Sequence, residues 1–263
     1  MTMNRWQWLA LALAPVWLVG CGGGSSKESV DLDPAVLCHS AGAEPKVLNG
    51  ASCGSYRTTP VVVLYAVGAD RQVKLCSGTR ISNNEVLTAA HCVSDQPKRV
   101  VAGVFKTDSE VSGLDATAWV VHPDYVGTGR FAYDAAIVRF PDGLPNPIMG
   151  ILDSAPVKKG QLVYFAGWGL PELESLAVGA ATVSAVGAEF LQVKYTGEAS
   201  TICAGDSGGP IYRLVGDRPG LVGVTSNSET LDCGANNTSS FTNVQTPRVL
   251  EFIQANAPSA VHF

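Results

Sequence analysis

The sequence is poor in charge and in the side chains that usually carry chemistry. Only 16% of its 263 residues are charged, and the formal net charge is −5. A weakly acidic chain offers no positive field for phosphates, which points away from nucleic acid as a partner. There are only four histidines, and no metal motif is present. Asp108 and Glu110, in the stretch KTDSE, are too few for a calcium loop. No cofactor and no metal are therefore expected. There is no internal repeat at fixed period, and past the N-terminus no long stretch has a helical period. The apolar run from Trp6 to Val19 is too short for a comfortable membrane span. What remains is a chain with 46% hydrophobic residues, 28 glycines and 15 prolines. That composition suits a globular protein with a sizeable core and many short strands and turns, not a disordered one.

Seven cysteines make an odd count, so at least one has a job of its own. The N-terminus supplies that job. Arg5, the apolar run and Gly20-Cys21 have the layout of a secretory signal over residues 1–20. Its end, Leu18-Val19-Gly20-Cys21, resembles the lipobox of bacterial lipoproteins. The resemblance implies cleavage before Cys21, a lipid on its sulfur, and contact with the membrane through that anchor alone. Gly22, rather than aspartate, implies the outer membrane of the bacterial envelope. The alternative is a plain signal peptide with an incidental cysteine and a secreted product. The stretch GGGSSKES then forms a flexible tether, and residues 21–46 read as tether and propeptide. Export would carry the other six cysteines into an oxidising compartment, where spacing alone does not choose their pairing.

Short apolar runs rich in β-branched and aromatic residues recur from TPVVVLYAVG to SFTNV, with glycine, proline or asparagine between them. About a dozen strands at this spacing argue an all-β sandwich or barrel, and they are too many for one small barrel. They suffice for two packed side by side, with PDGLPNP, Pro141 to Pro147, as the linker. One helix is expected, at the C-terminus. Thr246-Pro247 reads as an N-cap with proline at the first helical position, and Val249, Leu250, Phe252 and Ile253 form its apolar face.

The stretch Gly205-Asp206-Ser207-Gly208-Gly209-Pro210 places a serine between bare glycines. A serine hydroxyl is a weak nucleophile; it needs a base, a group that orients the base, and donors for the developing oxyanion. Of the histidines, His39 lies near the leader, His262 is penultimate and His122 sits in the turn-like His122-Pro123-Asp124-Tyr125. His91, in Thr88-Ala89-Ala90-His91-Cys92, is the candidate base. That segment, Asp134-Ala135-Ala136-Ile137-Val138, Gly167-Trp168-Gly169 and the serine loop together resemble the trypsin/chymotrypsin-type serine proteases, in the family's order. The likeness runs from about Lys46 to the end.

The resemblance implies two packed six-stranded antiparallel barrels and a C-terminal helix. The domain would span 47–263, with barrel 1 at about 47–145, barrel 2 at about 146–245 and the helix at about 247–256. It implies a serine endopeptidase acting on protein or peptide substrates through an acyl-enzyme. Ser207 would be the nucleophile, His91 the general base, Asp134 its orienter, and the N–H groups of Gly205 and Ser207 the oxyanion hole. It also implies a zymogen, cut after Lys46 by an activating protease so that the new Val47 amine pairs with Asp206. Cys76–Cys92 and Cys203–Cys233 resemble family disulfides. Cys38–Cys53 is the remaining pair, and it would span the cleavage site. Thr201 stands where tryptic relatives carry an aspartate, six residues before the nucleophile. Ser226 would hold substrate backbone, and Asn227, Ser228 and Ser239 replace a tryptophan and two glycines of the pattern. A small or medium neutral side chain is expected before the scissile bond. A shifted alignment would bring Glu198 or Asp232 into the pocket instead. Two other readings stand beside the protease: a catalytically silent binding module tethered to the envelope, and an esterase on the same scaffold.

Overall fold

The computed structural model describes residues 34–41, 44–45, 52–54, 59–105, 111–141, 144–169, 175–195, 201–229 and 237–263. The signal segment, Cys21, Lys46, Val47, Glu198, Asp232 and Cys233 lie outside the described residues. A helix that the sequence pattern did not announce comes first, α1 (Pro34–Ser40), followed by β1 (Glu44–Pro45) and β2 (Ser52–Gly54).

The first barrel consists of β3 (Val61–Val67), β4 (Val73–Arg80), β5 (Glu85–Thr88), β6 (Arg99–Phe105), β7 (Val111–Asp115), β8 (Ala118–Val121) and β9 (Ala136–Arg139). Its order is β7-β6-β3-β4-β5-β9-β8. The two end strands are consecutive in sequence and only Ala116 and Thr117 separate them. Ala116 N donates to Val100 O and Thr117 N to Arg139 O, so one bent strand serves both edges and closes the ring. Counted that way the barrel has six strands. Closure removes the unpaired edges that an open sheet would expose.

The second barrel consists of β10 (Gly150–Ile151), β11 (Leu162–Gly167), β12 (Leu176–Val186), β13 (Phe190–Tyr195), β14 (Pro210–Val215), β15 (Arg218–Ser228) and β16 (Asn237–Asn243). Six of them close in the ring β12-β11-β14-β15-β16-β13, with β13 pairing back to β12. The short β10 runs parallel to β15. Residues 52–54 do not begin the first barrel. β2 joins this second sheet, pairing with β12 at Leu176↔Cys53, and β1 pairs with β2. The N-terminal segment on both sides of Lys46 thus adds two strands to the sheet that later carries the serine loop.

One core cluster fills the first barrel and the space between the barrels, around Leu64, Ile137, Phe140, Trp168 and Tyr212. A second fills the far end of barrel 2, around Phe165, Leu191, Val222 and Phe241. Trp168, almost fully buried, donates through its indole N–H to Val61 O across the interface. Arg80 spans the linker, its guanidinium donating to the carbonyls of Ser82, Asn83 and Asn146. The helix α2 (Pro247–Asn256) begins where expected, with Pro247 in its first turn. Its cap differs: the Thr246 hydroxyl donates to Asn243 O instead of accepting from a helix N–H. Beyond α2 the last residues strap both barrels, Val261 N to Ile81 O and Ile151 N to Val261 O.

Candidate active site

His91 leaves the end of β5 through extended Ala89 and a single 3-10 turn, Ala90–Cys92. Turning there aims the imidazole out of the barrel wall. Cys92 in that turn is bonded to Cys76 on β4, which pins the turn to its neighbouring strand. Asp134 arrives from the other side, two residues before β9 (Ala136–Arg139). Phe131 and Tyr133 just before it both hold φ of 52°, a conformation that non-glycine residues adopt at a cost. The Phe131 ring meets the His91 ring edge-on, with centroids 5.9 Å apart.

Asp134 is fully buried, and every carboxylate contact is a donor aimed at it. His91 Nδ1 lies 2.7 Å from Oδ2, and the His91 main-chain N donates to Oδ1 at 2.9 Å. The Ser226 hydroxyl donates to Oδ2 at 2.6 Å, and the Thr242 hydroxyl holds the Asp134 carbonyl at 3.0 Å. A carboxylate bonded to Nδ1 selects the tautomer with its proton there, and leaves Nε2 as an acceptor.

The serine loop is held by main-chain bonds. Asp206 N donates to Cys203 O, Gly209 N to Asp206 O, Gly208 N to Thr225 O and Thr225 N to Gly209 O. Gly208, at φ +85°, explains why the loop can close on the histidine segment. A Cβ there would sit 2.1 Å from Thr88 Oγ1 and 2.3 Å from Ser77 O. Ser77 on β4 is the rivet between the barrels. Its N donates to Ser207 O, its hydroxyl donates to Gly205 O and accepts from Trp168 N, and its carbonyl accepts from Thr88 Oγ1. Cys92 Sγ lies 3.7 Å from Ser207 O. Gly205 holds φ of +98°, open only to glycine at low cost. Among the described residues, the N–H groups of Gly205 and Ser207 donate to no protein acceptor.

Asp206 is half-buried, and its carboxylate packs against Gly167 and Gly169. Its Oδ1 accepts from Gly169 N at 3.0 Å and its Oδ2 from Cys203 N at 2.8 Å. Burial pushes its carboxyl up to about 6, against the pull of those two donors. Among the described residues no cation reaches it.

The expected pocket residues also come together. Ser228 and Ser239 face each other across β15 and β16, and Thr201 Oγ1 lies 3.4 Å from Ser239 Oγ. The Asn237 amide donates to the Ser228 hydroxyl. Ser226 falls in the ladder irregularity between Thr225 and Asn227, which takes its main chain out of regular pairing. Its hydroxyl contact with Asp134 has no local signal in sequence, and neither has the part played by Ser77. Of the cysteines, Cys38 is bonded to Cys53 and Cys76 to Cys92. Cys203 is also disulfide-bonded, and its expected partner Cys233 is outside the described residues.

The sequence profile of the Trypsin family matches residues 49–253. The chain is 28% identical over 218 residues to chymotrypsin-like elastase family member 1 of Homo sapiens, covering 72% of this chain and 83% of the relative. It is 31% identical over 185 residues to the Felis catus protein of the same name, covering 60% and 70%. A trypsin-like protease of Streptomyces glaucescens is 25% identical over 206 residues, 69% of this chain and 71% of the relative. A solved structure titled HL collagenase shares the fold, with a TM-score of 0.65 at 21% identity, over 81% of this chain and 99% of that one. With its paired barrels and a family match over most of its length, the chain belongs to the trypsin family of serine proteases.

Proposed function

We propose that the protein is an exported serine endopeptidase, made as a zymogen, that hydrolyses peptide bonds through Ser207, His91 and Asp134. The observation that carries this reading is the shared Asp134 carboxylate, which accepts from His91 Nδ1, His91 N and the Ser226 hydroxyl. His91 Nε2 takes the Ser207 proton as the hydroxyl attacks the scissile carbonyl. It then returns that proton to the leaving amine, and a water completes hydrolysis by the same route. The free N–H groups of Gly205 and Ser207 receive the oxyanion, each worth about 3 kcal/mol of barrier. Covalent labelling by a fluorophosphonate after cleavage at Lys46 tests the chemistry. Absence of labelling favours the silent binding module, and a substrate profile limited to esters favours the esterase.

Activation is part of the proposal. Asp206, half-buried and with no cation beside it among the described residues, is suited to pair with a new amine at Val47. The topology supports the reach. Ser52 pairs with Ala177 on β12, Ala177 with Gly167 on β11, and Gly167 packs against Asp206. Two strand spacings are about 10 Å. Val47 lies five residues before Ser52, a reach of about 16 Å when extended. Protein that is active should begin at Val47; activity with an intact Lys46–Val47 bond would sink this part.

The leader is expected to stay on after the cut. Cys38, Ser40 and Ala41 are buried, Ser40 Oγ lies 2.9 Å from the Tyr212 hydroxyl, and Cys38–Cys53 closes across the cleavage site. Closing a loop of 15 residues contributes about 3 kcal/mol in the chain-entropy account. Non-reducing gels of activated protein should show one species and reducing gels two. A lipid on Cys21 would then keep the active enzyme on the envelope, and metabolic labelling with palmitate tests it. A neutral pocket around Thr201, with Ser228 and Ser239 narrowing it and the Ser226 main chain holding substrate, fits a small or medium neutral side chain before the scissile bond. Such a pocket cannot prefer lysine, so cleavage after Lys46 requires a different protease.

A further inference from the structure

Thr225 carries a hydroxyl that nothing in the proposed catalysis uses. It is buried, at 1% exposure, and among the described residues its Oγ1 has no hydrogen-bond partner. Its main chain, by contrast, is bonded on both sides to the serine loop, through Gly208 N and Gly209 O. The side chain therefore lies within one turn of the loop that presents Ser207.

Sheet register says which neighbours share its face. Thr225 pairs with Phe241 across β15 and β16, and cross-strand partners project to the same side. Ser239 stands two residues before Phe241 on β16, again on that side, and Ser228 faces Ser239. Thr201 reaches the same place through its contact with Ser239. Four hydroxyls thus gather behind the nucleophile: Thr201, Thr225, Ser228 and Ser239. Their hydrogen-bonding capacity is largely unspent. Thr225 makes no bond, Thr201 and Ser239 share one long contact, and Ser228 accepts one amide proton from Asn237. None of the four is charged.

We propose that this pocket, with Thr225 as a further specificity-determining residue, selects a carboxamide side chain, glutamine or asparagine, before the scissile bond. The proposal rests on the endopeptidase reading above and names the substrate class of that same site. An apolar side chain would bury the hydroxyls with nothing to bond, and a site built to bond a polar group rejects analogues that lack it. A charged side chain would enter a pocket wall whose described residues offer no counter-charge. A carboxamide both donates and accepts, and so matches hydroxyls that can do either.

The experiment uses full-length protein cut after Lys46 and a peptide set that differs only in the residue before the scissile bond. Glutamine or asparagine should exceed leucine by about tenfold or more in kcat/KM. Thr225→Val keeps the shape and removes the hydroxyl; it should bring the glutamine-to-leucine ratio down about tenfold. The same variant, lacking an unpaired buried hydroxyl, should unfold at no lower temperature, which separates lost recognition from lost folding. Best cleavage after leucine, valine, alanine, glutamate or arginine would overturn the proposal and leave the endopeptidase standing. So would an unchanged ratio in Thr225→Val. Protein that neither cleaves any peptide nor takes up a fluorophosphonate removes both readings together.

Discussion

Two aspartates, Asp134 and Asp206, flank the candidate site around Ser207, and they are in opposite condition. Asp134 is surrounded by donors: a histidine ring, a main-chain N–H and a serine hydroxyl. Asp206 has two main-chain donors, and burial raises its carboxyl to about 6. One carboxylate is complete in the uncleaved chain and the other is not. The contrast fits the proposed division of labour: His91 and Asp134, with a donor from Ser226 of the second barrel, would act as base and orienter, and Asp206 would wait for the Val47 amine.

The largest test of that contrast is Asp134→Asn. The amide cannot accept from His91 Nδ1–H at the same oxygen without turning the wrong group toward another donor, and the imidazole loses its tautomer. The kcat of activated protein should fall about 10⁴-fold, measured on any cleaved peptide. A loss of tenfold or less would mean that Asp134 only holds the fold.

Asp206 offers a test of opposite sign. Its carboxyl titrates higher in the folded chain, at about 6, than its ordinary value of 3.8. Between those values the folded state holds the proton that the unfolded state releases. Stability of the uncleaved chain therefore falls as pH rises from about 4 to about 6, by up to about 3 kcal/mol. Denaturant unfolding of uncleaved protein and of Asp206→Asn, at pH 4 and pH 7, isolates the contribution as the difference between them. Equal pH dependence in both proteins would show that Asp206 is already charged and satisfied. After cleavage the variant should gain no activity.

Ser226→Ala removes a donor from Asp134 Oδ2, the same oxygen that meets His91 Nδ1. One of three donors is lost while the histidine bond remains, so kcat should fall about tenfold, as for loss of one hydrogen bond to a charged group. KM should stay unchanged while kcat falls, a split that a packing defect would not cause. The smallest effect belongs to the leader. Ser40→Ala removes the partner of the buried Tyr212 hydroxyl and should cost about 1–2 kcal/mol in thermal or denaturant unfolding, with kcat unchanged.

The parts of the site that the sequence made legible are those carried by short contiguous segments. Thr88 to Cys92, Asp134 to Val138 and Gly205 to Pro210 each hold their chemistry within about six residues. The barrels were legible for a related reason, since period-two apolar runs and turn residues are local signals. The leader was less so. α1 spans seven residues, too few for a helical period to show, and it is held by burial against barrel 2 and by Cys38–Cys53. The sheet that Ser52–Gly54 joins is not legible in sequence because that strand is short and its partner, β12, lies over a hundred residues on.

By itself, then, the sequence determined the all-β class, the C-terminal helix and the order of histidine, aspartate and serine segments, because periodicity and motif chemistry are written within a few residues. Tertiary structure alone decided that Ser77 rivets the two barrels, that the Ser226 hydroxyl serves Asp134, and that Thr225 is left with an unused hydroxyl. Each of these depends on which groups meet, or fail to meet, once the sheets have closed. Hydrogen bonds between residues about a hundred positions apart leave no pattern in the chain; they exist only where closure sets the distance.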